Sequence, residues 1–289
     1  MRVALVLGSG GARGYAHIGA IEELEARGHE IVAVAGSSMG ALVGGVYAAG
    51  VLDQYTAWAR TLTSSGVVRL LDPKWAGGGA IGAVRIFAEV EQIVGERLIE
   101  DLPIPFTAVA TDLRARREVW FQRGPLVSAV RASIAIPGVI TPVVMNGRLL
   151  ADGGLMNPVP IEPTAASAAD LTVAISLSGD RSAQEQSTPA REPAEPTWRD
   201  ALVERVRRTV GREKEPPDPV EELRISDVVG LSMDAMQGLV TRYRMAGLPP
   251  DVLVTVPVGA ARSLEFHRAA EMIELGRTLT AEALDAAGH

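Results

Sequence analysis

The sequence predicts a three-layer α/β/α fold with a mainly parallel central sheet. Two observations carry that expectation. The chain opens strand, helix, strand, helix, the alternation of a parallel sheet with helices on its faces. And 30 of its 289 residues are glycine, in keeping with tight turns between strands and helices.

The elements run in order. Arg2 to Leu7 is an apolar run that reads as a buried strand, and it breaks into the glycine-rich loop GSGGARG. Tyr15 to Arg27 reads as a helix, with Ile18, Ile21 and Leu24 at helical spacing and Gly28 as its C-terminal stop. Ile31 to Ala35 is a second strand and Ala41 to Ala49 a second helix. The uncharged stretch Ile31 to Leu52 has the length of a membrane span, and Gly36, Gly40 and Gly44 repeat at the small-residue spacing of packed membrane helices. Its five glycines, two serines and β-branched start fit a strand, a turn and a buried helix better. Residues 86 to 99 read as helical. Strands come next at Phe106 to Thr111 and Glu118 to Gln122, a short helix at Val127 to Ser133, and strands at Arg148 to Ala151 and Leu171 to Ser176. The chain closes with a helix near Asp227 to Met245, a strand at Val252 to Val256 and a helix at Glu265 to Ala286.

Residues 179 to 222 differ in composition. RSAQEQSTPAREPAEP and REKEPPDPVEE are rich in Pro, Glu, Arg and Ser, so this stretch reads as a mobile insertion in a single domain spanning 1–289. Within it, Trp198, Leu202, Val206 and Val210 fall four apart among arginines. Such a basic amphipathic helix, 198–212, either packs on the domain surface or lies on an anionic membrane surface.

Composition excludes several classes. Without cysteine there is no disulfide and no thiolate metal site. A net charge of −7 with no basic excess argues against nucleic acid as the partner. No secretory leader is visible, because the first apolar run ends at Gly8, and a cytoplasmic location, with peripheral membrane contact as an option, is expected.

The first loop raises a choice between a phosphate cradle and an oxyanion hole. A dinucleotide site wants G-x-G-x-x-G and an acidic residue after the second strand. Here Arg13 takes the third glycine position and the second strand ends AVAGSS, so the phosphate reading loses its second anchor. Gly36-Ser37-Ser38-Met39-Gly40 fits G-x-S-x-G instead, a strand-to-helix elbow that exposes a nucleophilic serine between small neighbours. Ser38 also opens a helix, whose N-terminal amides favour developing negative charge.

A nucleophile needs a base. Ser38, Asp152 and His267 satisfy the chain order of α/β-hydrolases, but Ser38 comes too early for that fold and His267 falls inside an apparent helix, SLEFHRAAEMIELG. His17, early in the first helix, reads as structural. Asp152 follows a strand and precedes Gly153 and Gly154, so a parallel sheet would bring it to the edge that carries Ser38 and the first loop. A carboxylate among Leu, Met and Pro is partly desolvated, which raises its pKa and makes it a better base. Alone, Asp-Gly-Gly is also an ordinary turn.

Gly10-Gly11-Ala12-Arg13-Gly14, Gly36-Ser37-Ser38-Met39-Gly40 and Asp152-Gly153-Gly154, in this order, resemble the patatin-like phospholipases, as do RASIAIPGVITPV (131 to 143) and NPVP (157 to 160). The likeness spans roughly residues 1 to 178. It implies a Ser38–Asp152 dyad without histidine and an oxyanion hole around Gly10, Gly11, Arg13 and Gly14, with Gly8, Gly36, Gly40, Gly153 and Gly154 as motif support. Arg13 would hold the loop or bind a lipid phosphate. The implied substrate is a phospholipid, lysophospholipid or other acyl ester, cleaved with no metal or cofactor. Ser9 stands where family members often have glycine, and it keeps its backbone amide. The alternative is a catalytically silent protein that binds acyl chains on the same fold.

Overall fold

The computed structural model describes residues 1–70, 79–81, 84–180 and 225–289. The expected insertion lies almost wholly outside them, and the expected helix at 198–212 does so entirely. The chain divides into two compact units, Met1–Asp180 with Asp234–His289, and Arg181–Met233. The first unit contains the sheet.

Its strands are β1 (Arg2–Leu7), β2 (Glu30–Ser37), β3 (Gly79–Ile81), β4 (Phe106–Asp112), β5 (Arg117–Phe121), β6 (Gly138–Ile140), β7 (Val143–Met145), β8 (Arg148–Asp152), β9 (Leu171–Gly179) and β10 (Val252–Pro257). Its helices are α1 (Ala16–Ala26), α2 (Met39–Ala48), α3 (Leu52–Arg60), α4 (Ser64–Leu70), α5 (Val84–Val94), α6 (Leu126–Ser133), α7 (Ile225–Gly247, within this unit from Asp234) and α8 (Ala269–Ala287). The main sheet runs β10-β9-β1-β2-β4-β8-β7, with β5 also on β4. From β10 to β4 all pairings are parallel, and β5, β8 and β7 are added antiparallel. The mainly parallel sheet is as the sequence predicts.

Burial explains the strands. In β1 every residue after Arg2 is buried, the signature of a parallel strand covered on both faces. Alternate side chains part company. Val3, Leu5 and Leu7 join the large core with residues of α1, α2, α6 and α8. Val6 faces the other way and packs with Ala174, Val159 and Ile161, beside Met245 and Leu248. That second face is covered by a 3-10 turn at Glu162–Thr164 and the last turn of α7. Each fully buried Leu or Ile is worth roughly 1.5–3 kcal/mol, so this two-sided core is the main support of the sheet.

The stretch 31–52 divides into β2, an elbow at Ser38, and α2. Among the described residues no helix is long and apolar enough to cross a membrane. Near the C-terminus, His267 belongs to a separate 3-10 turn, Phe266–Arg268, and not to the helix that comes after it.

Candidate active site

The site lies where β1, β2 and β8 end. The elbow holds it together. Ser38 has φ 57° and ψ −124°, a combination that few non-glycine residues adopt. The chain reverses so sharply that Gly36 and Gly40 meet. A Cβ on Gly36 would lie 2.3 Å from the Gly40 oxygen, and one on Gly40 would lie 2.0 Å from the Leu7 oxygen. The G-x-S-x-G spacing therefore comes from backbone meeting backbone. Ser38 is held out of both flanking elements and is 2 % exposed. Its Oγ donates a 2.5 Å hydrogen bond to Asp152 Oδ2.

Asp152 ends β8, and its backbone is fixed on two sides. Its N–H donates to the Ala135 oxygen at 2.9 Å, and its own carbonyl accepts from Thr111 Oγ1 at 2.9 Å. The second carboxylate oxygen, Oδ1, accepts the Gly154 N–H at 2.7 Å. Burial dominates its electrostatics. Loss of water pushes its pKa up to about 7, while the bonds from Ser38 and Gly154 hold it back from rising further. The carboxyl is thus poised to exchange a proton near neutrality. The chain beyond it is anchored by Asn157, whose Nδ2 donates to Glu118 and Glu162, both also paired with Arg244.

The glycine-rich loop becomes a 3-10 turn, Gly11–Tyr15, ahead of α1. The flanking amides are committed: Gly8 N–H donates to Ile175, Ser9 to Pro158 and Ala12 to Ser263. Among the described residues the Gly10 and Gly11 amides donate to no protein acceptor. Arg13 is buried and does not face solvent. Its guanidinium makes three bonds, to Gly10 O, Val258 O and Asp234 Oδ1, and so ties the loop to α7 and to the end of β10. Arg13→Met leaves these acceptors unpaired. We expect it to lower unfolding free energy by on the order of 3 kcal/mol, measured by urea denaturation, with Arg13→Lys recovering only part because an ammonium lacks the fork.

His17 is fully buried and its Nε2 donates to Gly8 O at 2.8 Å. Burial pushes its pKa down to about 4, so the ring is neutral around pH 7 and shapes the loop. His267 is exposed, and neither histidine is hydrogen-bonded to the Ser38–Asp152 pair. One participant has no signal of its own in the sequence beyond the family-like segment that holds it. Ser133, at the end of α6, accepts the Ser38 N–H. It sits within RASIAIPGVITPV as a buried hydroxyl in an apolar run.

Ser38 and Gly11 line a common cleft. Its wall is made of groups such as Met39, Leu42, Trp58, Ile134 and Ile140, with Tyr15 and Tyr55. Burial raises both phenols far above their ordinary pKa, so they stay neutral. An apolar cleft ending on a strained serine has a lining that suits a hydrocarbon chain.

A β1–β2–β4 sheet with a serine elbow after β2 and an aspartate at the end of β8 defines an α/β protein of the patatin type. The model of the patatin-like phospholipase family matches residues 5–165, more than half of the chain, and the chain belongs to that family. An uncharacterized NTE family protein of Mycobacterium bovis is 45 % identical, over 99 % of this chain and 92 % of its own length. The patatin-like phospholipase domain-containing protein 6 of Mus musculus is 31 % identical over 61 % of this chain but only 13 % of the mouse protein. In three dimensions the chain resembles VipD from Legionella pneumophila, with a TM-score of 0.53 and 15 % identity over 99 % of this chain and 66 % of that one.

Proposed function

We propose that this protein is a serine hydrolase of lipid acyl esters, with Ser38 as nucleophile and Asp152 as its base. The observation that carries the reading is the 2.5 Å bond from Ser38 Oγ to Asp152 Oδ2 beside an apolar cleft. Ionised Asp152 accepts the Ser38 proton as Oγ attacks the ester carbonyl carbon. The carbonyl oxygen becomes an oxyanion, stabilised by the Gly10 and Gly11 amides. The intermediate collapses, the carbon–oxygen ester bond breaks, and Asp152 returns its proton to the leaving alcohol. Water then loses a proton to Asp152 and attacks the acyl-enzyme. Ser38 leaves, takes that proton back, and the fatty acid is released. Arg13 holds the loop in this scheme and does not touch substrate.

The cleft and the family together point to the substrate class: an ester with a long apolar acyl group, such as a phospholipid or lysophospholipid. Intact mass after treatment with a fluorophosphonate probe tests the reading. One adduct on wild type and none on Ser38→Ala is the expected result. No adduct on folded wild type would overturn it and favour an acyl-chain-binding protein.

A further inference from the structure

We propose that Ser133 is the positioning residue that holds the nucleophile elbow against its base; this rests on the reading of Ser38 and Asp152 as nucleophile and base. The elbow creates a problem that it does not itself solve. β2 ends at Ser37 and α2 begins at Met39, so the Ser38 amide belongs to neither ladder. It is buried, and a buried N–H without an acceptor is costly. The Ser133 Oγ meets that need at 2.9 Å. The same hydroxyl spends its proton on Val109 O, at 2.5 Å, which leaves a lone pair for Ser38. Val109 is the register partner of Ser37 on the neighbouring strand. Ser133 therefore bridges β4 and the residue after β2, at the position where the elbow's backbone is strained.

The same short stretch also holds the base. Two residues further on, the Ala135 oxygen accepts the Asp152 N–H at 2.9 Å. The end of α6 thus grips the backbone of both partners, and the intervening Ile134, with Ile136, lines the cleft. The two grips differ in kind. Ala135 acts through its main chain and survives any side-chain change; Ser133 acts through a hydroxyl that mutation can remove. Without it, both Val109 O and Ser38 N–H lose their partner and φ at Ser38 is free to relax. Ser38 Oγ then moves off Asp152, and an ångström of misplacement is enough for about 100-fold in rate.

Four proteins decide it: wild type, Ser133→Ala, Ser133→Cys and Ser133→Thr, each first checked for a cooperative melt. The rate of fluorophosphonate labelling at Ser38 and the pH profile of p-nitrophenyl butyrate hydrolysis are then measured. Ser133→Ala and Ser133→Cys should label about 10- to 100-fold more slowly, whereas Ser133→Thr, which keeps the hydroxyl, should stay within about threefold of wild type. The acid limb of both slow variants should move to higher pH, because Asp152 loses the Ser38 bond that holds its pKa down. A purely structural role would lower the melting temperature without moving that limb. If Ser133→Ala does not fold, the Cys and Thr pair, which preserve side-chain bulk, carry the comparison. Labelling of Ser133→Cys within twofold of wild type, with an unmoved acid limb, overturns the proposal and leaves the hydrolase reading intact. No labelling of wild type at Ser38 overturns both.

Discussion

Replacing Asp152 with asparagine is expected to cut ester hydrolysis by about 10²–10⁴-fold, the usual worth of a positioned general base, and at the same time to make the folded protein more stable at about pH 8. Both effects come from one buried carboxyl. Asparagine retains an oxygen for the Gly154 N–H and a group that meets Ser38, but it cannot take a proton. In wild type, burial raises the Asp152 pKa from 3.8 to about 7. The folded protein therefore holds more protons than the unfolded chain across that interval. The group's stabilising contribution is complete below the unfolded pKa and is lost as pH rises through the folded one. A shift of this size corresponds to an upper bound of about 4 kcal/mol, so the variant should melt several degrees above wild type at about pH 8. The gap should narrow as pH falls towards the unfolded pKa and vanish below it. Calorimetry at about pH 3.5, about pH 6 and about pH 8 spans the interval and checks this. On the proposed mechanism the same ionisation governs turnover: wild-type kcat/KM should fall with an acid limb near neutrality, because only the carboxylate can receive the Ser38 proton. A variant that is inactive and no more stable at the highest pH would mean that Asp152 is not a desolvated base.

How far each feature is legible in the sequence depends on how its constraint is written there. Gly36 and Gly40 are demanded by main-chain contacts at 2.3 Å and 2.0 Å, which nothing larger than hydrogen permits, so the elbow shows as a pattern of residue types. The first strands show because burial on both faces leaves uninterrupted apolar runs, as in β1. Asp152 shows only beside the other two motifs, since Asp-Gly-Gly alone is an ordinary turn, and its strand β8 runs antiparallel to β4 and not parallel as the sequence reading supposes. Ser133 does not show, since its work depends on a meeting with Ser38 95 positions away, and a serine in a helix is unremarkable on its own. The role of Arg13 stays open in the sequence for the same reason: only the fold brings Asp234 and Val258 O to its guanidinium. The three-residue strands β3, β6 and β7 do not show either, because three residues are too few to establish an alternation. His267 reads as helical because SLEFHRAAEMIELG has one continuous helix-like composition, while the chain makes a 3-10 turn before α8.

Gly11→Ala is expected to lower kcat by about 10²–10³-fold with little change in KM, the cost of losing one well-placed oxyanion donor. Gly11 has φ +58°, and a Cβ there would stand 2.5 Å from Ser263 O, so alanine must push the loop away from its contact with Ser263. That contact includes the bond from Ala12 N–H to Ser263 O at 2.9 Å. The displacement carries the Gly10 and Gly11 amides with it. Nothing in this change touches the Ser38–Asp152 bond, and the acid limb should stay where wild type has it. This separates the loop from the base: Asp152→Asn removes the limb, and Gly11→Ala lowers the plateau. Fluorophosphonate labelling should slow in parallel with kcat, because the phosphoryl oxygen takes the position of the developing oxyanion. Binding of a non-hydrolysable acyl analogue should be almost unaffected, since most of the cleft wall, Leu42, Trp58, Ile134 and Ile140 among it, is apolar side chain contributed from outside the loop. Loss of analogue binding together with turnover would mean that the loop builds the acyl site and not the hole.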